Sequence, residues 1–203
     1  MPTCRPAERR LLLAALAVAP WVLHAPRAEA GTQREEDLSA SVRAGLAQAV
    51  GDRGTVNWED LELRAWVRGM TRRVQRFLPD EEQARQCLAL VRYESLRAGL
   101  DPHMVLALIE VESRFKKYAV SKAGARGLMQ VMPFWVKVIG APGMNLFNER
   151  TNLRFGCVIL RHYVDRENGK LFNALGRYNG SLGRPEYPDR ILKSWKSRWA
   201  LSA

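Results

Sequence analysis

From Trp58 to Trp199 the apolar residues return at three- and four-residue intervals, and no run shows the strict alternation of a half-buried strand. Only a helix brings side chains back to one face at that spacing, so the pattern restricts the chain to an all-α fold. The boundaries are marked as well. A first pattern covers Trp58 to Leu78, with Leu61, Ala65, Val67, Val74, Phe77 and Leu78 apolar, and Pro79 ends it. Asp80 is placed to cap the next, with Glu81 and Glu82 at the positive end of its dipole. That helix is expected to run to about Ala98, where Gly99 closes it. Asp101-Pro102 opens another, with proline at the first helical position. Ser121 to Arg126 is small and polar and reads as a loop. Further helical patterns cover Gly127 to Ile139, Thr151 to Arg166, Gly169 to Tyr178 and Asp189 to Trp199.

The first thirty residues read as an address. Arg5, Arg9 and Arg10 precede the apolar run Leu11 to Leu23, and Ala28-Glu29-Ala30 supplies small residues for cleavage. Such a run is shorter than the roughly 20 residues a spanning helix needs, so an exported protein is expected, located in the periplasm or on the envelope. Cys4 would leave with the signal. Residues 31–57 are polar, with one amphipathic stretch near Leu38 to Val50, and are expected as a mobile arm or a loosely docked helix. The expected division is a signal peptide over 1–30, an arm and N-terminal helical extension over 31–78, and a globular domain over 79–203.

Charge narrows the partner. The chain carries 32 Lys and Arg against 21 Asp and Glu, a formal net charge of +11. That surplus favours a polyanion, and export excludes intracellular nucleic acid in favour of an acidic envelope polymer. Cys87 and Cys157 remain after cleavage. An even count in an oxidising compartment is compatible with a disulfide, and equally with two buried thiols. Neither the cysteines nor any other motif calls for a metal or a cofactor.

The helix from Pro102 to about Phe115 carries the chemistry. At 100° per residue Val105, Leu108, Ile109, Glu112 and Phe115 share one face, which places a carboxylate in an apolar stripe. Glu110 is expected on the opposite side, in reach of water. Burial disfavours the charged form, and a carboxylic acid that keeps its proton near neutral pH can serve as a general acid. A structural glutamate tied to an arginine or to a backbone donor fits the same position. From Ser113 to Asn148 there is no Asp or Glu, while Arg114, Lys116, Lys117, Lys122, Arg126 and Lys137 fall in that stretch. Glu112 therefore has no local carboxylate partner, whereas ordinary glycoside hydrolysis uses two.

Glu112-Ser113-Arg114-Phe115, followed by Ala119-Val120-Ser121-Lys122-Ala123-Gly124-Ala125-Arg126-Gly127-Leu128-Met129-Gln130-Val131-Met132-Pro133, resembles the signature of the soluble lytic transglycosylases, lysozyme-like enzymes of the bacterial envelope. Three further blocks agree in order: Asn152 to Gly156, Ala174 to Gly180, and Tyr187-Pro188. The likeness spans about Cys87 to Tyr187. An isolated Glu-Ser carries no weight, since Glu94-Ser95 is a second one without the loop behind it. Gly180 to Arg184 departs from the family's Ala-Gly-Pro-Gly run.

The resemblance implies a lysozyme-like domain and assigns roles. Glu112 would be the catalytic acid and base, and Ser113 an assisting hydroxyl. Met129 and Gln130 would line the sugar groove. Tyr178 and Asn179 would face Glu112, and Tyr187 would close the groove. The implied substrate is the glycan strand of peptidoglycan, cut between N-acetylmuramic acid and N-acetylglucosamine with 1,6-anhydro ends. A lysozyme-type hydrolase with the same acid, and a non-catalytic peptidoglycan-binding factor of a secretion or pilus machine, are the alternatives. A monomer is expected.

Overall fold

The structure, a computed structural model, describes Met1, Gln33 and residues 36–200; the signal-peptide reading falls outside them. Eight α-helices follow one another: α1 Ala40–Gly51, α2 Leu61–Val74, α3 Glu81–Arg97, α4 Pro102–Ser113, α5 Phe134–Ile139, α6 Glu149–Arg166, α7 Leu171–Asn179 and α8 Glu186–Ser194. A π-helical turn, Trp195–Trp199, extends α8. Short polar side chains start five of the helices. Ser39, Asp60, Asp80, Asp101 and Asn148 each accept a hydrogen bond from a first-turn amide. Pro102 occupies the first turn of α4, where its missing N–H costs nothing. Among the described residues there is no named strand, only the isolated bridges Val120 to Arg126 and Arg126 to Val131.

The α4 helix is buried on all sides rather than along one stripe. Met104, Val105, Leu106, Ala107, Leu108 and Ile109 are all shut from water, with α3, α8 and the π-turn around them. A helix apolar around its whole circumference is stable only inside a protein. Glu110 consequently does not reach open water as expected. The C-terminal turn folds over it: Ser194 Oγ and Trp199 Nε1 donate to Glu110 Oε2 at 2.7 and 2.8 Å, and Arg198 forms an ion pair with it.

One further expectation changes and two open ones are resolved. The helix anticipated over Gly127 to Ile139 exists only as α5. Gly127 and Gln130 lie in the left-handed region (φ 76° and 49°), and Arg126 and Val131 exchange both backbone hydrogen bonds at 3.0 Å, so this stretch forms a tight turn. The stretch near Leu38 to Val50 is a docked helix: α1 packs on α5 and α6, with Leu38 and Val50 inside the common core. Apolar residues of α2, namely Trp66, Val67, Met70 and Val74, belong to that same core. The disulfide is not formed. Cys87 and Cys157 are free and buried, with burial pushing each thiol up to about 12. Cys157 Sγ instead lies 4.0 Å from Met129 Sδ.

Glu94 joins three helices. Its side chain is fully buried and accepts from Arg154 at 2.8 and 3.2 Å and from Arg97 at 3.0 Å, with Arg150 at 3.5 Å. Arg97 also donates to the Ala49 carbonyl at 2.8 Å and pairs with Asp52 at 3.2 Å, which fastens the end of α1. Removing one member of a buried ion cluster strands the others. Arg154→Met is expected to cost about 3–5 kcal/mol in urea unfolding, and the double variant Glu94→Gln/Arg154→Met to recover a substantial part of it.

Candidate active site

Glu112 sits in the last turn of α4 and is 7% exposed. Burial pushes its carboxyl from the usual 4.5 up to about 8, against the smaller opposing effects of a hydrogen bond from Tyr187 and the charge of Arg190. The Tyr187 hydroxyl donates to Oε1, while Oε2 is sealed from solvent and has no partner among the described residues. At neutral pH this group holds its proton, a carboxylic acid that can give up hydrogen. Tyr187 and Arg190 lie one turn apart on α8, so one helix supplies both influences.

Local backbone strain follows the acid. Arg114 and Phe115 occupy the left-handed region (φ 53° and 62°), an unfavourable conformation for side-chain-bearing residues. Aromatic packing holds them there. Phe115 is buried against Phe77 and Trp199, with ring centroids 5.2 and 5.7 Å apart, and the Arg114 guanidinium lies 5.7 Å over Phe77. The chain thereby turns sharply off α4 and brings residues 119–131 back beside Glu112's helix.

Those residues are tied down largely by side chains. Ser113 Oγ donates to the Leu128 carbonyl at 2.8 Å and contacts that of Ile109 at 3.2 Å. Asn152, on α6, is 1% exposed and clamps three points: its Nδ2 donates to the Arg126 and Leu146 carbonyls at 2.8 and 2.9 Å, and its Oδ1 accepts from the Met129 amide at 2.8 Å. Gly127 permits this approach, since a Cβ there would stand 2.3 Å from Asn152 Nδ2. Tyr178 Oη donates to the Met129 carbonyl at 2.8 Å, and burial, then the Glu112 charge, raise its pKa well above the usual 10.

The structure gives each residue named by the resemblance its contacts. Tyr187, expected to close the groove, is the hydroxyl on Glu112. Tyr178, expected to face Glu112, donates its hydroxyl to the Met129 carbonyl and feels the Glu112 charge. Met129 is fully buried and offers no side-chain surface to a ligand. Gln130 is 2% exposed and gives its side-chain amide to the Gly127 and Ala119 carbonyls at 2.9 and 3.2 Å, so it shapes the turn. Ser113 likewise commits its hydroxyl to backbone. Asn179 is buried at the end of α7 before the left-handed Gly180. The sequence reading missed the clamp at Asn152, the charge at Arg190, and Gln33, which reaches Gln130 and Met132. Arg190 had a signal, since it follows Tyr187 by three residues. Gln33 had none.

The exposed surface of the stretch after Glu112 is cationic and partly aromatic. Arg114, Lys116, Lys122, Arg126 and Lys137 are exposed, while Lys117 lies 3.8 Å from Glu149. Tyr118 is 72% exposed, with Phe147 6.0 Å away between ring centroids. Among the described residues no cluster of His, Cys, Asp and Glu is arranged to hold a metal. No described helix is long and apolar enough to cross a membrane.

Comparison with known proteins places these features in a group. Residues 89–191 match the family model described as the Transglycosylase SLT domain. The chain is 55% identical over 53 residues to a membrane-bound lytic murein transglycosylase C of Actinobacillus pleuropneumoniae, covering 26% of this chain and 14% of that protein. It is 31% identical over 119 residues to the protein of that name from Photorhabdus laumondii, covering 51% of this chain and 33% of that one. It spans a third or less of the length of these curated relatives. Among solved structures, an inactive mutant of the lytic transglycosylase Slt from Pseudomonas aeruginosa aligns with a TM-score of 0.43 at 26% identity, over 53% of this chain and 20% of that one.

The raised Glu112 carboxyl links stability to pH. Below about pH 4.5 the group is protonated in both states and its burial carries no ionisation penalty. Between about 4.5 and 8 the unfolded chain releases a proton that the folded chain retains, so stability falls as pH rises and levels off above 8. The difference between wild type and Glu112→Gln in chemical denaturation is expected to change by about 4 kcal/mol across that window. A difference independent of pH would contradict a buried, proton-holding Glu112.

Proposed function

Because the chain belongs to the transglycosylase SLT domain family, we propose that it cleaves the β-1,4 bond between N-acetylmuramic acid and N-acetylglucosamine in peptidoglycan, with Glu112 as its single acid and base. The observation that carries this reading is the state of Glu112. It is buried, its carboxyl is raised to about 8, and the groups that act on it are a tyrosine hydroxyl and an arginine, neither of them a carboxylate.

In the proposed reaction protonated Glu112 gives its proton to the glycosidic oxygen as the bond from the muramoyl anomeric carbon breaks. The muramoyl acetamido oxygen stabilises that carbon, the role a second carboxylate plays in ordinary glycosidases. The Glu112 carboxylate then takes the proton of the muramoyl 6-hydroxyl, whose oxygen closes on the anomeric carbon. The products are a 1,6-anhydromuramoyl end and a free N-acetylglucosamine 4-hydroxyl. Protons balance and no water is consumed. Tyr187 supports the carboxylate half of the cycle, since its hydroxyl favours the ionised form. A dry pocket keeps water from competing with the 6-hydroxyl. The cationic surface suits the carboxylates of peptide stems, and a peptidoglycan substrate places the protein at the envelope.

Digestion of purified sacculi tests the reaction. Glu112→Gln is expected to lose about 10²–10⁴-fold in turnover while keeping its helical circular dichroism. Wild-type products are expected one water lighter per cut than reducing-end fragments by mass spectrometry. Reducing ends would mean a hydrolase, and no release of fragments a binding factor. In Tyr187→Phe the pKa of Glu112 loses a lowering influence, so the alkaline limb of kcat/KM, expected near pH 8 in wild type, moves upward.

A further inference from the structure

Gln33 precedes α1 by seven positions, yet its side chain is 4% exposed and ends among residues 97 and 99 positions away. Its Oε1 accepts from the Met132 amide at 3.2 Å, and its Nε2 donates to the Gln130 carbonyl at 3.4 Å. It also hydrogen-bonds Tyr178, the tyrosine that holds Met129 and feels the Glu112 charge. One carboxamide thus meets a backbone acceptor, a backbone donor and a tyrosine. From residue 36 the described chain is anchored: Glu36 forms ion pairs with Arg166 and, at 3.8 Å, Arg177, and Leu38 is buried in the core.

A backbone carbonyl and a backbone N–H two residues apart recognise an amide, whichever molecule carries it. An N-acetylated sugar brings that group in its acetamido substituent. Tyr178, which Gln33 meets, also feels the charge of Glu112, whose Oε2 is buried and has no hydrogen-bond partner among the described residues. We propose that the N-terminal arm is an internal competitor for the glycan, with the Gln33 carboxamide occupying the amide-recognising backbone of Gln130 and Met132 until an acetamido group displaces it. This rests on the peptidoglycan reading above. The anchor at Glu36 keeps the competitor at high local concentration, and the free energy of its docking is subtracted from glycan binding.

Affinity in the absence of turnover is the measurement. Full-length Glu112→Gln and Glu112→Gln/Gln33→Ala are titrated with tri-N-acetylglucosamine by calorimetry, and hydrogen exchange of the Met132 amide is followed by NMR. Removing Gln33 is expected to tighten glycan binding about five- to tenfold and to speed exchange of the Met132 amide. Glu36→Gln, which loosens the anchor without touching the turn, is expected to act in the same direction but less. Equal affinities, or weaker binding without Gln33, would overturn the competition and leave the peptidoglycan reading standing. If neither form binds the oligosaccharide, the glycan reading fails and the competition fails with it.

Discussion

The desolvation of one carboxyl group organises this molecule. Glu112 is enclosed at the end of a helix that is itself enclosed, and the charge of Arg190 is outweighed by the effect of burial. Its contrast is Glu94, another buried glutamate followed by serine. Glu94 lies among Arg97, Arg150 and Arg154; Arg97 and Arg154 donate to its oxygens and make it a joint between α1, α3 and α6. Glu112 has one tyrosine hydroxyl and an oxygen with no partner among the described residues. Burial alone leaves an acid, and burial with guanidinium groups leaves a fastener. The same dipeptide holds a protonated acid in one place and an ion cluster in the other.

Holding an unpaired acid in the interior is unfavourable, so its surroundings must be hard to rearrange. Here the surroundings are covalently close and cross-tied. Two left-handed residues follow the acid, pinned by Phe77 and Trp199, and Ser113 is bonded to the Leu128 carbonyl. Asn152 fixes the returning turn at three points, and Tyr178 fixes it at a fourth. Glu110, two residues before the acid, fastens the C-terminal turn to the same helix. Most polar groups around the site therefore bind the protein to itself.

Much of this was legible in the sequence. The all-α class follows from the spacing of apolar residues, and caps such as Asp80 and Asp101-Pro102 mark helix starts to within a residue because capping is local. The inward aspect of Glu112 is also local, since it depends on the angle between residues of one helix. Expectations failed where a distant segment decided the outcome. Glu110 was assigned to water because its own helix places it opposite Glu112, but the C-terminal turn covers it. Gly127 to Val131 looked helical by composition, and its left-handed residues and cross-turn bonds to Asn152 overruled that. Cys87 and Cys157 were compatible with a bridge by count, whereas packing leaves each thiol buried and free.

The amino-acid order by itself determined the all-α class, most helix starts, the family signature, the cationic surface and the inward aspect of Glu112, because each depends on residue type and short-range spacing. Tertiary structure alone decided which tyrosine touches Glu112, which glutamate is surrounded by arginines, and where Gln33 comes to rest. Those outcomes depend on contacts between residues tens of positions apart, 75 for Tyr187 with Glu112 and 60 for Arg154 with Glu94. The free energy of burial that sets the Glu112 proton belongs to the assembled interior, and no local stretch of chain contains it.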